Sequence, residues 1–170
     1  MLRRMTSVHI ETNRGSIDIE LDADAAPKTV ENFLRYVDAG HYDGTLFHRV
    51  IPGFMAQGGG YDESYAKKPT QPPVTNEARA SAKNVRGTVA MARTSDPHSA
   101  TSQFFVNVAD NGSLDHTAET PSGWGYCVFG RVTAGMDAVD AIVKTKTGAA
   151  GPFAKDAPVE PVVIRSIRRA

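Results

Sequence analysis

The chain has 170 residues, of which 41% are hydrophobic and 22% charged, with 19 Lys plus Arg balanced by 19 Asp plus Glu. That length and mixture fit one globular domain over residues 1–170, which should bury about 70% of the surface of its extended chain without disulfide or metal staples. A net charge of +0 supplies no summed positive field, so neither nucleic acid nor an anionic membrane is expected as a partner, and the lone Cys127 excludes both an intrachain disulfide and a cysteine-built zinc cluster.

Residues 8–21 alternate in polarity. Ile17, Ile19 and Leu21 point one way and Ser16, Asp18 and Glu20 the other, with Val8 and Ile10 repeating the pattern before Asn13-Arg14-Gly15. Two strands joined by a tight turn are predicted. The period then changes: Val30, Phe33, Leu34 and Val37 form one apolar stripe, Pro27 suits a first helical turn, and Gly40 can stop the helix, which is predicted over about 27–39. Residues 45–57 are rich in aromatic and branched side chains and are punctuated by Pro52-Gly53, which predicts two short strands. The polar, Pro-rich stretch from Gly58-Gly59-Gly60 to Ala82 reads as a long surface loop. Strands are predicted again over 87–91, 103–108, 126–132 and 159–167, and a second helix around Met136, Val139, Ile142 and Val143 with Lys144 and Lys146 near its negative pole.

About eight strands and two helices leave too few helices for parallel crossovers. The predicted class is mainly β, a closed barrel in which closure removes exposed edges. No run of about 18 apolar residues is available to cross a bilayer. The start, MLRRMTSVHIETNRG, lacks the apolar region of a secretory leader. A reducing compartment, most simply the cytoplasm, is expected, and neutrality favours a monomer. Asn111-Gly112-Ser113 matches a glycosylation acceptor that would matter only on secretion.

The usual catalytic patterns are missing. Five histidines are present, but no HExxH run or compact ligand set accompanies them, so no metal is expected. No G-x-S-x-G elbow supports a serine nucleophile, and the residues Asp96, His98, Ser99 and Ser102 read as a polar turn that bonds its own backbone. Gly58-Gly59-Gly60 lacks both phosphate-binding glycine fingerprints. What stands out is a concentration of Arg49, Gln57 and large apolar residues in 47–59, and a second run at 102–107. Alternation sends Gln103 and Phe105 to one face of the second run and Phe104 and Val106 to the other, and sends Arg49 opposite to His48. One Phe can then fill the core while its neighbour lines a groove.

The runs FHRVIPGFMAQGG at 47–59, NEA at 76–78, RGTVAMAR at 86–93, SATSQFF at 99–105 and WGYCVFGRV at 124–132 closely resemble the cyclophilin-type peptidyl-prolyl cis-trans isomerases, especially their small bacterial members. The resemblance spans roughly residues 7–168. It implies an eight-stranded antiparallel barrel capped by a helix at each end, isomerisation of X-Pro peptide bonds without cofactor, and proline-containing peptides and unfolded proteins as partners. Residue by residue, it implies that Arg49 is catalytic, that Phe54, Met55, Phe105 and Leu114 form the proline pocket, and that Gln57 and Gln103 line the peptide groove. Ala92 and Arg93 fall where the substrate backbone is held, and many relatives carry Asn instead of Arg93. Ser113 replaces a Trp common in eukaryotic relatives, the segment 115–125 is longer, and Tyr126 stands at a position where those relatives often have a groove histidine. These departures imply weak cyclosporin binding.

The chemistry needs no nucleophile. Amide resonance makes the barrier about 18–20 kcal/mol, and a guanidinium donating to the proline nitrogen is favoured at the twisted state over the planar one. No proton need move, so His48 is read as structural, and Cys127 as a small buried hydrophobe. The alternative is a proline-peptide binding module or chaperone with negligible turnover.

Overall fold

A computed structural model describes residues 5–170. The chain opens with β1 (Met5–Thr12) and β2 (Gly15–Asp22), paired in continuous antiparallel register from Met5↔Asp22 to Thr12↔Gly15. Inward-facing Val8, Ile10, Ile17, Ile19 and Leu21 are fully buried, as a period of two requires for a sheet with one face on the core. Helix α1 (Pro27–Asp38) buries Val30, Phe33, Leu34 and Val37. It has no side-chain cap of its own. Glu77 caps it from a distant segment, its carboxylate accepting from the backbone N–H groups of Lys28 and Thr29 at 3.2 and 2.6 Å, where a negative charge suits the helix start.

Three short strands follow: β3 (Thr45–Leu46), β4 (Arg49–Ile51) and β5 (Met55–Gly58). After the long segment 59–87 come β6 (Thr88–Met91), β7 (Phe104–Asn107), a single 3-10 turn (Gly112–Leu114), β8 (Val128–Ala134) and α2 (Met136–Val143). The chain ends with a hairpin, β9 (Thr147–Ala150) and β10 (Phe153–Pro158), and β11 (Val163–Arg169).

Among the described residues the main sheet has nine strands in the order β3-β11-β1-β2-β8-β6-β7-β5-β4, and β9 and β10 pair separately. This corrects the predicted closed, eight-stranded barrel in both respects. The count rises because 45–57 forms three strands where two were predicted. Buried Phe47 and His48 interrupt the segment, so that β3 pairs with β11 while β4 pairs with β5. The same interruption leaves the sheet open. Its two edges, β3 and β4, are successive pieces of one segment running in sequence, so they do not pair with each other, and the free side of β3 is met only by isolated hydrogen bonds to the stretch after β5, Leu46 N–H to Tyr61 O at 2.9 Å and Gly59 N–H to Leu46 O at 3.3 Å.

The core lies inside the curled sheet, where the Phe33 ring meets those of Phe104 and Phe129 with centroids 5.7 and 5.1 Å away. Helix α1 lies against β2 and β11, and α2 against β2, β4 and β5. A smaller apolar cluster, Met55, Ala90 and Phe105, forms on the other side of the central strands.

Candidate active site

The site is built on four neighbouring strands, β4, β5, β7 and β6. Arg49 on β4 is the register partner of Gln57 on β5, and Gln57 is the partner of Phe105 on β7. Alternation separates adjacent residues. Val50 enters the main core while Arg49 is exposed, and Phe104 and Val106 enter it while Phe105 joins Met55 on the opposite side. Three polar side chains form a line: Arg49 Nη1 donates to Gln57 Oε1 at 3.4 Å, and Gln57 Nε2 donates to Gln103 Oε1 at 3.0 Å.

This line borders a cavity of about 340 Å³, within the size range of small-ligand sites. All ten residues named by the sequence line it. Phe54, Met55, Phe105 and Leu114 supply an apolar cup; Arg49, Gln57 and Gln103 form a polar wall; Ala92, Arg93 and Tyr126 complete the rim. The Tyr126 ring meets Phe105 edge-on at 5.7 Å, and the Arg93 guanidinium lies over Tyr126 at 4.5 Å from the ring centroid. Arg93 is held there by bonds from Nε to Gly125 O at 3.0 Å and from Nη1 to Thr94 O at 2.9 Å.

Each wall has a support. Ala92 N–H donates to Gln103 O at 3.0 Å. The Gln103 side chain lies so close to Gly60 that a Cβ there would come within 2.5 Å of Gln103 Cγ. Behind the cup, three asparagines tie its segments together. Asn84 Nδ2 donates to Leu114 O at 3.1 Å and Tyr126 O at 3.2 Å, Asn107 Nδ2 to Asn84 Oδ1 at 3.1 Å, and Asn111 Nδ2 to Phe54 O at 2.9 Å. Asn84 and Asn107 are buried, and their amide bonds meet the requirement that buried polar groups be paired. Asn76 of the NEA run donates to Gly125 O at 3.1 Å, so the carbonyl that holds Arg93 is itself fixed.

The sequence reading missed two of the groove's aromatic residues and left His48 out of it. His48, Tyr61 and Phe153 line the end of the cavity beside Arg49. Phe153 stacks on His48 at 5.0 Å and 28°, and Tyr61 meets Phe153 at 86°. Burial, reinforced by the neighbouring Arg49 charge, lowers the His48 pKa to about 4, so the ring is neutral at pH 7. Its Nδ1 is buried without a hydrogen-bond partner. Asn84 was also hidden, because it follows a polar, Pro-rich stretch that reads as surface. Cys127 is buried, and desolvation raises its thiol pKa to about 11. Among the described residues no group of three or more His, Cys, Asp or Glu is placed to hold a metal, and no helix is long and apolar enough to cross a membrane.

Residues 7–169 match the family described as cyclophilin type peptidyl-prolyl cis-trans isomerase/CLD. The chain is 57% identical over 164 residues to the peptidyl-prolyl cis-trans isomerase cyp18 of Streptomyces antibioticus, covering 96% of this chain and 98% of that one. It is 52% identical over 160 residues to peptidyl-prolyl cis-trans isomerase B of Escherichia coli (strain K12), covering 94% and 97%. A solved cyclophilin type peptidyl-prolyl cis-trans isomerase of Cryptosporidium parvum superposes with a TM-score of 0.79 at 25% identity over 98% of both chains. The same protein solved in the presence of the dipeptide Ala-Pro gives 0.78 at 25% identity, covering 96% and 98%. A mainly β fold with two helices, a groove of arginine, glutamines and an apolar cup, and these matches along nearly the whole length together show that the chain belongs to the cyclophilin-type peptidyl-prolyl cis-trans isomerases.

Proposed function

We propose that Arg49 is the catalytic residue of this isomerase and that the cavity beside it holds proline-containing segments of unfolded or flexible chains. The observation that carries the reading is the line Arg49–Gln57–Gln103 bordering an apolar cup within one cavity. The cup of Phe54, Met55, Phe105 and Leu114 immobilises the pyrrolidine ring. The peptide on the other side of the bond turns. As the bond twists, nitrogen recovers its lone pair, and an Arg49 N–H donates to it. That bond is weak in the planar amide and strong in the twisted one, so it lowers the barrier and does not merely tighten binding. Gln57 keeps the guanidinium in place, and Gln103 offers amide groups to the turning carbonyl side. No covalent bond breaks and no proton transfers, which suits a neighbouring histidine held neutral by burial.

The Cryptosporidium protein solved with Ala-Pro supports a proline-peptide groove here. Release of slow X-Pro steps in folding, and chaperone action on unfolded chains, extend the proposal. So does weak cyclosporin binding, supported by exposed Ser113 and by Arg93 covering Tyr126. A monomer is supported by the scarcity of exposed large hydrophobics, Val85 and Val159 among the described residues. Cytoplasmic placement is supported by the single buried thiol, and cell fractionation tests it.

The central test is two-dimensional NMR exchange on an Ala-Pro-containing peptide with wild type, Arg49→Lys and Arg49→Ala. Arg49→Ala is expected to lower kcat by about 10²–10³ with a smaller loss of peptide affinity, and Arg49→Lys to recover only part of the rate because it lacks the planar fork. Equal losses of rate and affinity would support the binding-module reading.

A further inference from the structure

The cavity carries charge of one sign. Two guanidiniums, Arg49 and Arg93, line it, and no carboxylate does among the described residues. The protein as a whole has a net charge of +0, so this concentration is local. Arg49 and Arg93 also stand apart. Arg49 is on β4 and Arg93 follows β6, with β5 and β7 between them. Three strand spacings across the sheet, and three residues along it because Arg49 is level with Ala90, separate their backbones by roughly 17 Å, the reach of about five extended residues.

Arg93 is not neutralised. Its hydrogen bonds go to the carbonyls of Gly125 and Thr94, its face lies on the Tyr126 ring, and no carboxylate lies within ion-pair distance of it among the described residues. Those carbonyls fix the guanidinium in position without cancelling its charge. The group is half-buried against an aromatic wall, where solvent screening is weaker than on an open surface. Arg49, in contrast, is committed to the bond that turns.

Resting on the reading of this groove as the isomerase site, we infer that Arg93 determines substrate choice, favouring X-Pro segments that carry an acidic side chain directly before or directly after the proline. The carboxylate reaches the fixed guanidinium while the ring sits in the cup, and a lysine in its place meets like charge. The preference belongs to Arg93 because Arg49 faces every substrate at the turning bond.

The test uses two peptide series, Ala-Xaa-Pro-Ala and Ala-Ala-Pro-Xaa, with Xaa as Glu, Gln or Lys, followed by NMR exchange without a coupled protease. Wild type is expected to turn over Glu peptides about tenfold faster in kcat/KM than Lys peptides in at least one series at low salt, with Gln between, and the ratio should shrink as salt rises. Arg93→Gln should reduce the Glu to Lys ratio to about threefold or less, whatever its effect on absolute rate, and Arg93→Lys should restore most of it. A wild-type ratio near one in both series, or a ratio unchanged in Arg93→Gln, would overturn the inference. Arg49→Ala separates the two readings. Loss of Gln-peptide turnover with no charge ordering in wild type sinks only the role of Arg93, whereas full Gln-peptide turnover in Arg49→Ala sinks the site assignment on which it rests.

Discussion

Gln57 stands directly across the β4–β5 ladder from Arg49, and its Oε1 accepts a hydrogen bond from the guanidinium at 3.4 Å while its Nε2 donates to Gln103. The orientation of the proposed catalytic group is therefore set by strand register as well as by its own rotamer. Gln57→Leu removes the acceptor while keeping the bulk. The expected result is a drop in kcat of about five- to tenfold, the size of one ordinary hydrogen bond, because the contact is long and exposed, with KM changed less and the melting temperature nearly unaltered. NMR exchange beside a thermal melt checks it.

Gly60 makes room for Gln103. An added Cβ would lie 2.5 Å from Gln103 Cγ and 2.6 Å from its Cδ and Nε2, so Gly60→Ala must push that side chain out of the groove. The fold should survive, since the obstacle is a flexible side chain and not backbone, at a cost of about 1–2 kcal/mol. Activity should fall further than stability implies. Full activity in a folded Gly60→Ala protein would show that the position of Gln103 is unimportant.

Phe104 and Phe105 are neighbours in sequence but belong to different apolar clusters. Phe104→Leu should cost about 1–2 kcal/mol of stability by underfilling the core and leave KM near wild type. Phe105→Leu should chiefly raise KM, because it reshapes the floor under the proline ring. Denaturant unfolding and peptide titration of both variants provide the comparison.

Acid should weaken the fold through His48. Its pKa falls from 6.5 in the unfolded chain to about 4 in the native one, chiefly through desolvation and secondarily through Arg49. Above pH 6.5 both states are neutral there and nothing changes. As pH falls from 6.5 toward 4 the unfolded state alone takes the proton, and about 3 kcal/mol of stability is lost. His41 is shifted in the same direction by burial and Lys68. His9 is raised by hydrogen bonds to Glu11 and Asp18, so its contribution is present below 6.5 and lost as pH rises through its native pKa, but it is well exposed and should be small. Unfolding measured across this range should show a shallower acid slope in His48→Gln. Isomerisation itself should stay flat between pH 6 and 8, because no step moves a proton.

Cys127 should resist thiol reagents in the native state. Burial lifts its pKa to about 11, so little thiolate is present at pH 8 and access is closed. Labelling should appear only in denaturant, at the unfolding midpoint; prompt labelling of the native protein would contradict the burial.

Much of this arrangement was readable in the chain because local periodicity carried it. The alternation of Val8–Leu21, the stripe of α1 and the opposed faces at 103–106 each follow from a repeat that short-range geometry imposes. The family runs marked Arg49 and its companions, and all of them line one cavity. Hairpin β9–β10 escaped because Thr147–Ala150 holds only small residues and Phe153–Pro158 mixes Phe with Lys, Asp and Pro, with no alternation to betray a strand. Without that hairpin, Phe153 had no visible route to His48 and Tyr61. Asn84 was likewise hidden, since a polar residue among polar neighbours gives no sign of being buried. The open seam between β3 and β4 also depended on which strands paired over long range. The sequence by itself determined most of the elements, the inward faces of β1, β2 and α1, and ten of the residues that line the cavity. Only the tertiary structure decided which edges meet, what closes the end of the groove and which buried amides brace it, because those outcomes rest on contacts between residues far apart in the chain, where no local repeat can signal them.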